Sequence, residues 1–459
     1  MIVTSMLRKA LTIGPTIILT CAAAFGVAPA QDAQSPIRQR GYLWLKESEA
    51  AVTAENRADV RARFQALSKL YSDFPENSRV LRNLAWAEQK AGNETAATAL
   101  LKKYAEMGMT LDLGGPIYSA MAEAKLLAKV PELDRNRSPI TSGTRVFTLP
   151  DPDLLVEDIA FEPHTARYFL TSIRKKKIVS CDQNGQCTDI VSSPPPQDLD
   201  AMLAIRVDAA HNVVWATTSG MPTQEGFRAE RKGRSAVLKF DIRTFRLLRR
   251  YEPADGKEHA LGDMTVASNG DAYISDGLSG DVYVIKHDTD KLEPMVPHGV
   301  FVSPQTPTLN QAQSVLYVPD YVEGIAVIDV ASGEVQWLKV TTPLALEGID
   351  GLYWTHDGLI ATQNGTVPER VVRFHLRDQN TADGFSVIEA NWPGLGDPTH
   401  GVIVGDFFYF IVNSGWDRVG EDESSFGSGA PAQVWKVPTA YPRHTTVQRP
   451  GETQSMRDE

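Results

Sequence analysis

A mainly β fold, a six-bladed β-propeller behind a small N-terminal α-helical region, is what this 459-residue sequence predicts. Three observations carry it. A unit of short strands recurs six times after residue 150, at the roughly 40–60-residue period of propeller blades. Ahead of the repeats, residues 42–135 carry helical periodicity instead. Between the two lies a strand, Arg145-Val-Phe-Thr-Leu149, with no unit of its own.

Arg8 and Lys9 precede an apolar stretch from Ala10 to Phe25, and Ala28-Pro29-Ala30 offers a small-x-small cleavage site before Gln31. This is the pattern of a signal peptide over residues 1–30, so the chain is expected to be exported, periplasmic or secreted. Gly14-Pro15 interrupts the apolar run, and no later run approaches the ~18 residues of a span, so no membrane span is expected in the mature chain. Residues 1–30 hold two basic and no acidic residues, so cleavage takes the formal net charge from −11 to −13. That balance disfavours nucleic acid and anionic membrane as partners.

Within 42–135, Val60, Phe64, Leu67 and Tyr71 recur at helical spacing. So do Val80, Leu84, Ala87 and Ala91, and then Ala96, Ala97, Leu100, Leu101 and Tyr104, with Pro75 and Gly92-Asn93 between the runs. Another helix is expected from Pro116. Short helices joined this way are tetratricopeptide-like, the closest copy running from Ser78 to Gly108. About one and a half units are too few for a free-standing solenoid. Two roles stay open: packing against the propeller, or a groove for a protein partner.

The propeller is expected over 145–440, followed by a polar tail over 441–459. Its apolar second strands are Arg167–Ser172, Val213–Thr218, Ala272–Asp276, Val315–Asp320, Leu359–Gln363 and Phe407–Asn413. Each ends in polar residues. The strand at 145–149 suits closure of the ring by pairing with the last blade, leaving no open edge at the junction. Cys181 and Cys187 flank Asn184-Gly185, a hairpin-turn signal, so the two thiols face one another. In an exported chain that reads as a disulfide.

Propeller geometry brings the innermost strands around one channel. In order they carry Glu157-Asp158, Arg206, Asp263, Gln305, Asp350 and His400. Carboxylates and an amide oxygen are hard ligands suited to Ca²⁺, Mg²⁺ or Mn²⁺, and Zn²⁺ also accepts carboxylate and imidazole. Carboxylates gathered without a cation raise at least one carboxyl pKa. Polar residues also line channels simply by bonding to water and strand ends. A second polar set, Ser172, Thr218, Asp276, Asp320, Gln363-Asn364 and Asn413, stands where a ligand-choosing rim would lie but fits ordinary turn chemistry. The exception is Asn413 with Trp416-Asp417, where an exposed aromatic beside polar groups suits stacking on a sugar or lactone ring.

From about residue 145 to 440 the chain resembles the senescence-marker-protein/gluconolactonase/luciferin-regenerating family of six-bladed propellers. The resemblance rests on Glu157-Asp-Ile-Ala-Phe161, Gly262-Asp-Met-Thr-Val-Ala-Ser-Asn-Gly-Asp-Ala-Tyr-Ile-Ser-Asp276 and Ile349-Asp-Gly-Leu352. It implies a divalent cation held by Glu157 and Asp350. Gln305 stands at a third metal position where the family commonly has Asn, and Asp263 where it has a substrate-contacting Asn. The implied activity is hydrolysis of a lactone or related cyclic ester, with a sugar-like or lactone small molecule as ligand. Asp350 or Asp263 would act as general base, and Arg206 or His400 would stabilise the developing oxyanion. The alternative is a non-catalytic recognition propeller whose helices hold a partner. No phosphate-cradling glycine loop and no Gly-x-Ser-x-Gly elbow is present, which disfavours nucleotide enzymes and serine hydrolases.

Overall fold

The computed structural model describes residues 36–192, 199–356 and 358–440. The segments expected to be a signal peptide and a polar C-terminal tail lie outside these residues. Six sheets form the propeller. Blade 1 runs Val156–Glu162, Arg167–Ser172, Lys177–Cys181, Cys187–Ser192, and blade 2 runs Ala201–Asp208, Val213–Ser219, Ser235–Asp241, Leu247–Tyr251. Blade 3 comprises Leu261–Val266, Ala272–Asp276, Asp281–Ile285 and Leu292–Pro294. Blade 4 has an inner strand of two residues, Thr308–Leu309, then Val315–Asp320, Gly324–Asp329 and Val335–Trp337. Successive inner strands touch around a closed ring, blade 6 returning to blade 1.

Blade 5 departs from the four-stranded expectation. Beyond Gly351–Thr355, Gly358–Gln363, Arg370–Asp378 and Thr381–Ala390 it takes up a fifth strand, Lys339–Val340, which pairs in parallel with Thr381 and Ala382. Its two outer antiparallel strands are nine and ten residues long, so they offer an edge that the linker from blade 4 covers. Blade 6 comprises Gly401–Val404, Phe407–Val412 and Gln433–Pro438, and its fourth strand is Thr144–Thr148. The register Thr144↔Lys436 to Thr148↔Gln433 closes the ring as expected.

The polar residues ending each second strand have a structural use. Thr171 Oγ1 accepts from Asp158 N of its own inner strand and donates to Leu203 O of the next blade. Thr217 does the same between Ala204 N and Gly262 O, and Thr362 between Gly351 N and Thr399 O. Ser275 donates to Gln305 O. These hydroxyls staple neighbouring blades, and in blades 1 and 2 they satisfy backbone groups at bulges of the inner strands. Blades 4 and 6 carry Pro319 and Val412 at this place in the strand, without a hydroxyl.

Cys181 and Cys187 are directly paired across the hairpin and form a disulfide, with Gly185 at φ +78° in the turn. Asp182 accepts the Asn184 and Gln186 amides and shapes that turn.

Six helices precede the propeller among the described residues: α1 (Pro36–Asn56), α2 (Val60–Asp73), α3 (Ser78–Lys90), α4 (Glu94–Glu106), α5 (Pro116–Glu123) and α6 (Glu132–Arg135). α1 thus begins six residues ahead of the expected helical segment at residue 42. Trp44, Leu67, Leu70, Phe74, Val80 and Leu84 pack with Ala260, Leu278, Val302, Tyr321 and Val322 of blades 3 and 4 in one core. Polar contacts continue the seam. Asn77 donates to Val322 O at 2.7 Å, the Ser78 amide donates to Glu347 Oε1 at 2.8 Å, and Arg370 Nη1 donates to Met107 O at 2.8 Å. The helices therefore pack against the propeller.

Candidate functional site

Inner strands of different blades deliver the central side chains. Glu157 and Asp158 lie at the bulged start of the blade 1 inner strand, and Asp263 follows a bulge in blade 3. Asp350 and His400 each immediately precede an inner strand, in blades 5 and 6. Gln305 lies ahead of the short blade 4 strand. Glu157, Asp263, Gln305, Asp350 and His400 are all no more than 2% exposed.

One ligand atom from each of Glu157, Asp350 and His400 lies within 4.8 Å of the others, a candidate acidic/His metal centre. Asp263 joins it through His400, whose Nε2 is 2.6 Å from Asp263 Oδ1. The other ring nitrogen, Nδ1, is 2.8 Å from the Glu157 carbonyl and 3.6 Å from Glu157 Oε1. A carbonyl only accepts, so Nδ1 carries a proton while Nε2 faces a carboxylate, the arrangement of an imidazolium. Burial disfavours that charge, but Asp263 and then Asp350 more than reverse it, holding the His400 pKa well above the usual histidine value. His400 thus supplies positive charge beside the carboxylates.

Glu157 shows the opposite response. Burial pushes its carboxyl up to about 8, with Asp350 and Asp263 adding to the rise against the opposing pull of His400 and Trp416. Trp416 Nε1 donates to Glu157 Oε2 at 2.7 Å, and Glu157 Oε1 has no hydrogen-bond partner among the described residues. The expected exposed stacking ring is therefore corrected. Trp416 is buried, packed with Leu155, Ile173, Met221 and Val419 of neighbouring loops and with Leu203 of the blade 2 inner strand.

Asp350 is positioned by Asn364, whose Nδ2 donates to Asp350 Oδ2 at 2.7 Å and to Pro398 O at 2.8 Å. Tyr321 Oη in turn donates to Asn364 Oδ1 at 3.1 Å. Arg79 of α3 lies over the Tyr321 ring at 5.0 Å and donates to Gly365 O through Nε and Nη2. A Cβ on Gly365 would meet Arg79 Nη2 at 2.5 Å, so only glycine admits this approach. A chain of contacts thus runs from the helical region to Asp350.

The remaining expected residues are placed as follows. Arg206 pairs with Asp158 and donates to Ile205 O at 2.6 Å. Its guanidinium neutralises that carboxylate. Asp263 also accepts from Thr306 Oγ1 at 3.1 Å. Gln305 donates through Nε2 to Ser303 O and Oγ at 3.2 and 3.0 Å, and its Oε1 has no partner among the described residues.

Most of the second polar set does turn chemistry. Asp320 accepts four backbone amides and Asp276 three, while Ser172 donates to Leu154 O. Asn364 is the exception. It sits in that set, but its role depends on Asp350 folding back against it from fourteen residues away, which no local motif announces. Tyr321 and the partnership of Asp158 with Arg206 were equally silent in the sequence.

No protein-family model matches the chain, and no curated protein matches it in sequence. Among solved structures it is similar to a gluconolactonase from Xanthomonas campestris, at 14% identity and TM-score 0.43 over 63% of this chain and 88% of that one. It is also similar to the PQQ-bound aldose sugar dehydrogenase of Streptomyces coelicolor, at 14% identity and TM-score 0.44 over 65% and 99%. A virginiamycin B lyase from Staphylococcus aureus with quinupristin matches at 13% identity and TM-score 0.43 over 64% and 98%. Propellers host unrelated chemistries, so function is argued from the site.

Proposed function

We propose that the protein is an exported, metal-dependent hydrolase that opens a lactone or related cyclic ester. The observation that carries this reading is the convergence of Glu157, Asp350 and His400, with Glu157 Oε1 unmatched. The donor set fits a hard divalent cation: two buried carboxylates close together, one with an unmatched oxygen. When bound, the cation supplies Lewis-acid polarisation of the ester carbonyl and activation of water.

Glu157 and Asp350 would hold it, with Gln305 Oε1 as a third oxygen. Asn364 keeps the Asp350 carboxylate aimed. Asp263 accepts the proton of the attacking water and returns it to the leaving alkoxide, giving a hydroxy acid. His400, cationic beside Asp263, stabilises negative charge developing on the carbonyl oxygen. The centre is buried as folded, so binding of a substrate requires a rearrangement around it.

The test is a lactone panel assayed with and without chelator. Hydrolysis that chelator abolishes and one divalent ion restores is expected. Turnover untouched by chelator overturns the metal role. A second reading, a non-catalytic recognition propeller, is favoured by the near-complete burial of the centre and by the internal cations His400 and Arg206. It takes over if a cation binds and no lactone turns over.

A further inference from the structure

A cavity of about 180 Å³ lies within the helical region, walled by α1, α2, α3, the start of α5 and Val367 of blade 5. A cavity of roughly 150 Å³ takes up a benzene, so this one has room for a small organic molecule. Its walls are aromatic and cationic. Trp44, Trp86 and Tyr118 line it together with Arg63, Arg79 and Arg82.

The charge there is uneven. Glu55 and Asp112 are the carboxylates among the lining residues, so three guanidinium groups face two acids. Arg63 is paired with Glu55 at 3.3 Å and lies over the Trp86 ring at 4.7 Å. Behind the wall, Glu347 faces both Arg79 and Arg370. With Glu347 and Arg370 added, four guanidinium groups (Arg63, Arg79, Arg82 and Arg370) stand against three carboxylates (Glu55, Asp112 and Glu347). Arg79 is 3% exposed, and its Nη1 has no hydrogen-bond partner among the described residues. The same holds for Trp86 Nε1. A buried guanidinium left partly unmatched is costly unless something accepts from it.

The start of α5 adds to the field. Gly115, Pro116, Ile117 and Tyr118 line the cavity, and Gly115 leaves this helix N-terminus without a side-chain cap. Its positive end favours an anion.

We propose that this cavity is a binding site for a small monocarboxylate with an aromatic or apolar body. The carboxylate accepts from Arg79 Nη1 and neighbouring N–H groups and offsets the excess of guanidinium groups over carboxylates. The body fills the space between Trp44, Trp86 and Tyr118. The site is separate from the propeller centre and requires no metal.

Benzoate is the probe, titrated calorimetrically and by tryptophan emission into the full chain, with benzamide as its neutral isostere. Saturable benzoate binding is expected, with benzamide weaker by about tenfold or more. Arg79→Gln and, separately, Arg82→Gln are each expected to weaken benzoate by about tenfold or more. Ile117→Trp, which fills the cavity, is expected to abolish binding. Should Arg79→Gln fail to fold, judged by circular dichroism, the other two variants decide. Equal affinity for benzoate and benzamide, no saturable benzoate binding at about 10 mM, or unchanged benzoate affinity in the folded variants would overturn the assignment.

Discussion

Asn364 shows how the centre depends on a residue that binds no ligand itself. It fastens the Asp350 carboxylate to Pro398 O and is itself held by Tyr321. Losing such support typically costs about 10–100-fold in metal affinity. Asn364→Leu is expected to do so with the circular dichroism spectrum unchanged, and equal affinity by titration calorimetry would contradict the role. A second residue, His259, makes stability depend on pH. Burial lowers its pKa, but Asp276 at 2.7 Å and Asp255 at 2.7 Å more than reverse this and hold it at about 9. Because the folded value lies above the unfolded ~6.5, the contribution is complete below pH 6.5 and fades as pH rises through 9. It amounts to no more than about 3 kcal/mol. The denaturation midpoint of His259→Gln should therefore fall well below wild type at pH 6 and approach it at pH 10; a constant gap would refute the assignment. The acidic centre was legible in the sequence because blade repetition places equivalent positions together. Trp416 was not, since nothing local tells that an aromatic in a Gly-rich loop turns inward onto a carboxylate.

At the scale of elements, the second strands were readable because each is an apolar run bounded by polar residues. What those polar residues do became clear only with neighbouring blades in place. Thr362 is a staple between Gly351 N and Thr399 O, and Thr171 between Asp158 N and Leu203 O. Thr362→Val keeps the shape but strands both partners, at a cost of about 1–3 kcal/mol. A denaturant midpoint equal to wild type would show that the staple contributes nothing. The fifth strand of blade 5 escaped the sequence for a related reason. Lys339 and Val340 have no periodicity of their own and become a strand by meeting an edge.

The whole molecule joins two parts that cover each other's apolar surface. Helical residues such as Trp44, Leu70 and Phe74 share one core with Leu278, Val302 and Tyr321 of the propeller. A chain lacking residues 36–135 is expected to aggregate or to melt lower, as seen by size exclusion and thermal scanning, because that surface would be bared. A monodisperse propeller with undiminished melting temperature would make the helices an independent appendage. Helical periodicity announced these elements, but their mutual docking rests on Asn77, Ser78 and Arg79 meeting loops some 245 to 286 residues later. The ring brings distant segments together, and on the proposed reading Glu157 and Asp350 of different blades share one cation. Titration calorimetry of Ca²⁺, Mg²⁺, Mn²⁺ and Zn²⁺ into metal-stripped wild type, Glu157→Gln and Asp350→Asn tests it most directly. One site is expected in the wild type, lost in both folded variants; wild-type affinity retained in either variant, or no binding of any of the four ions, would rule the site out.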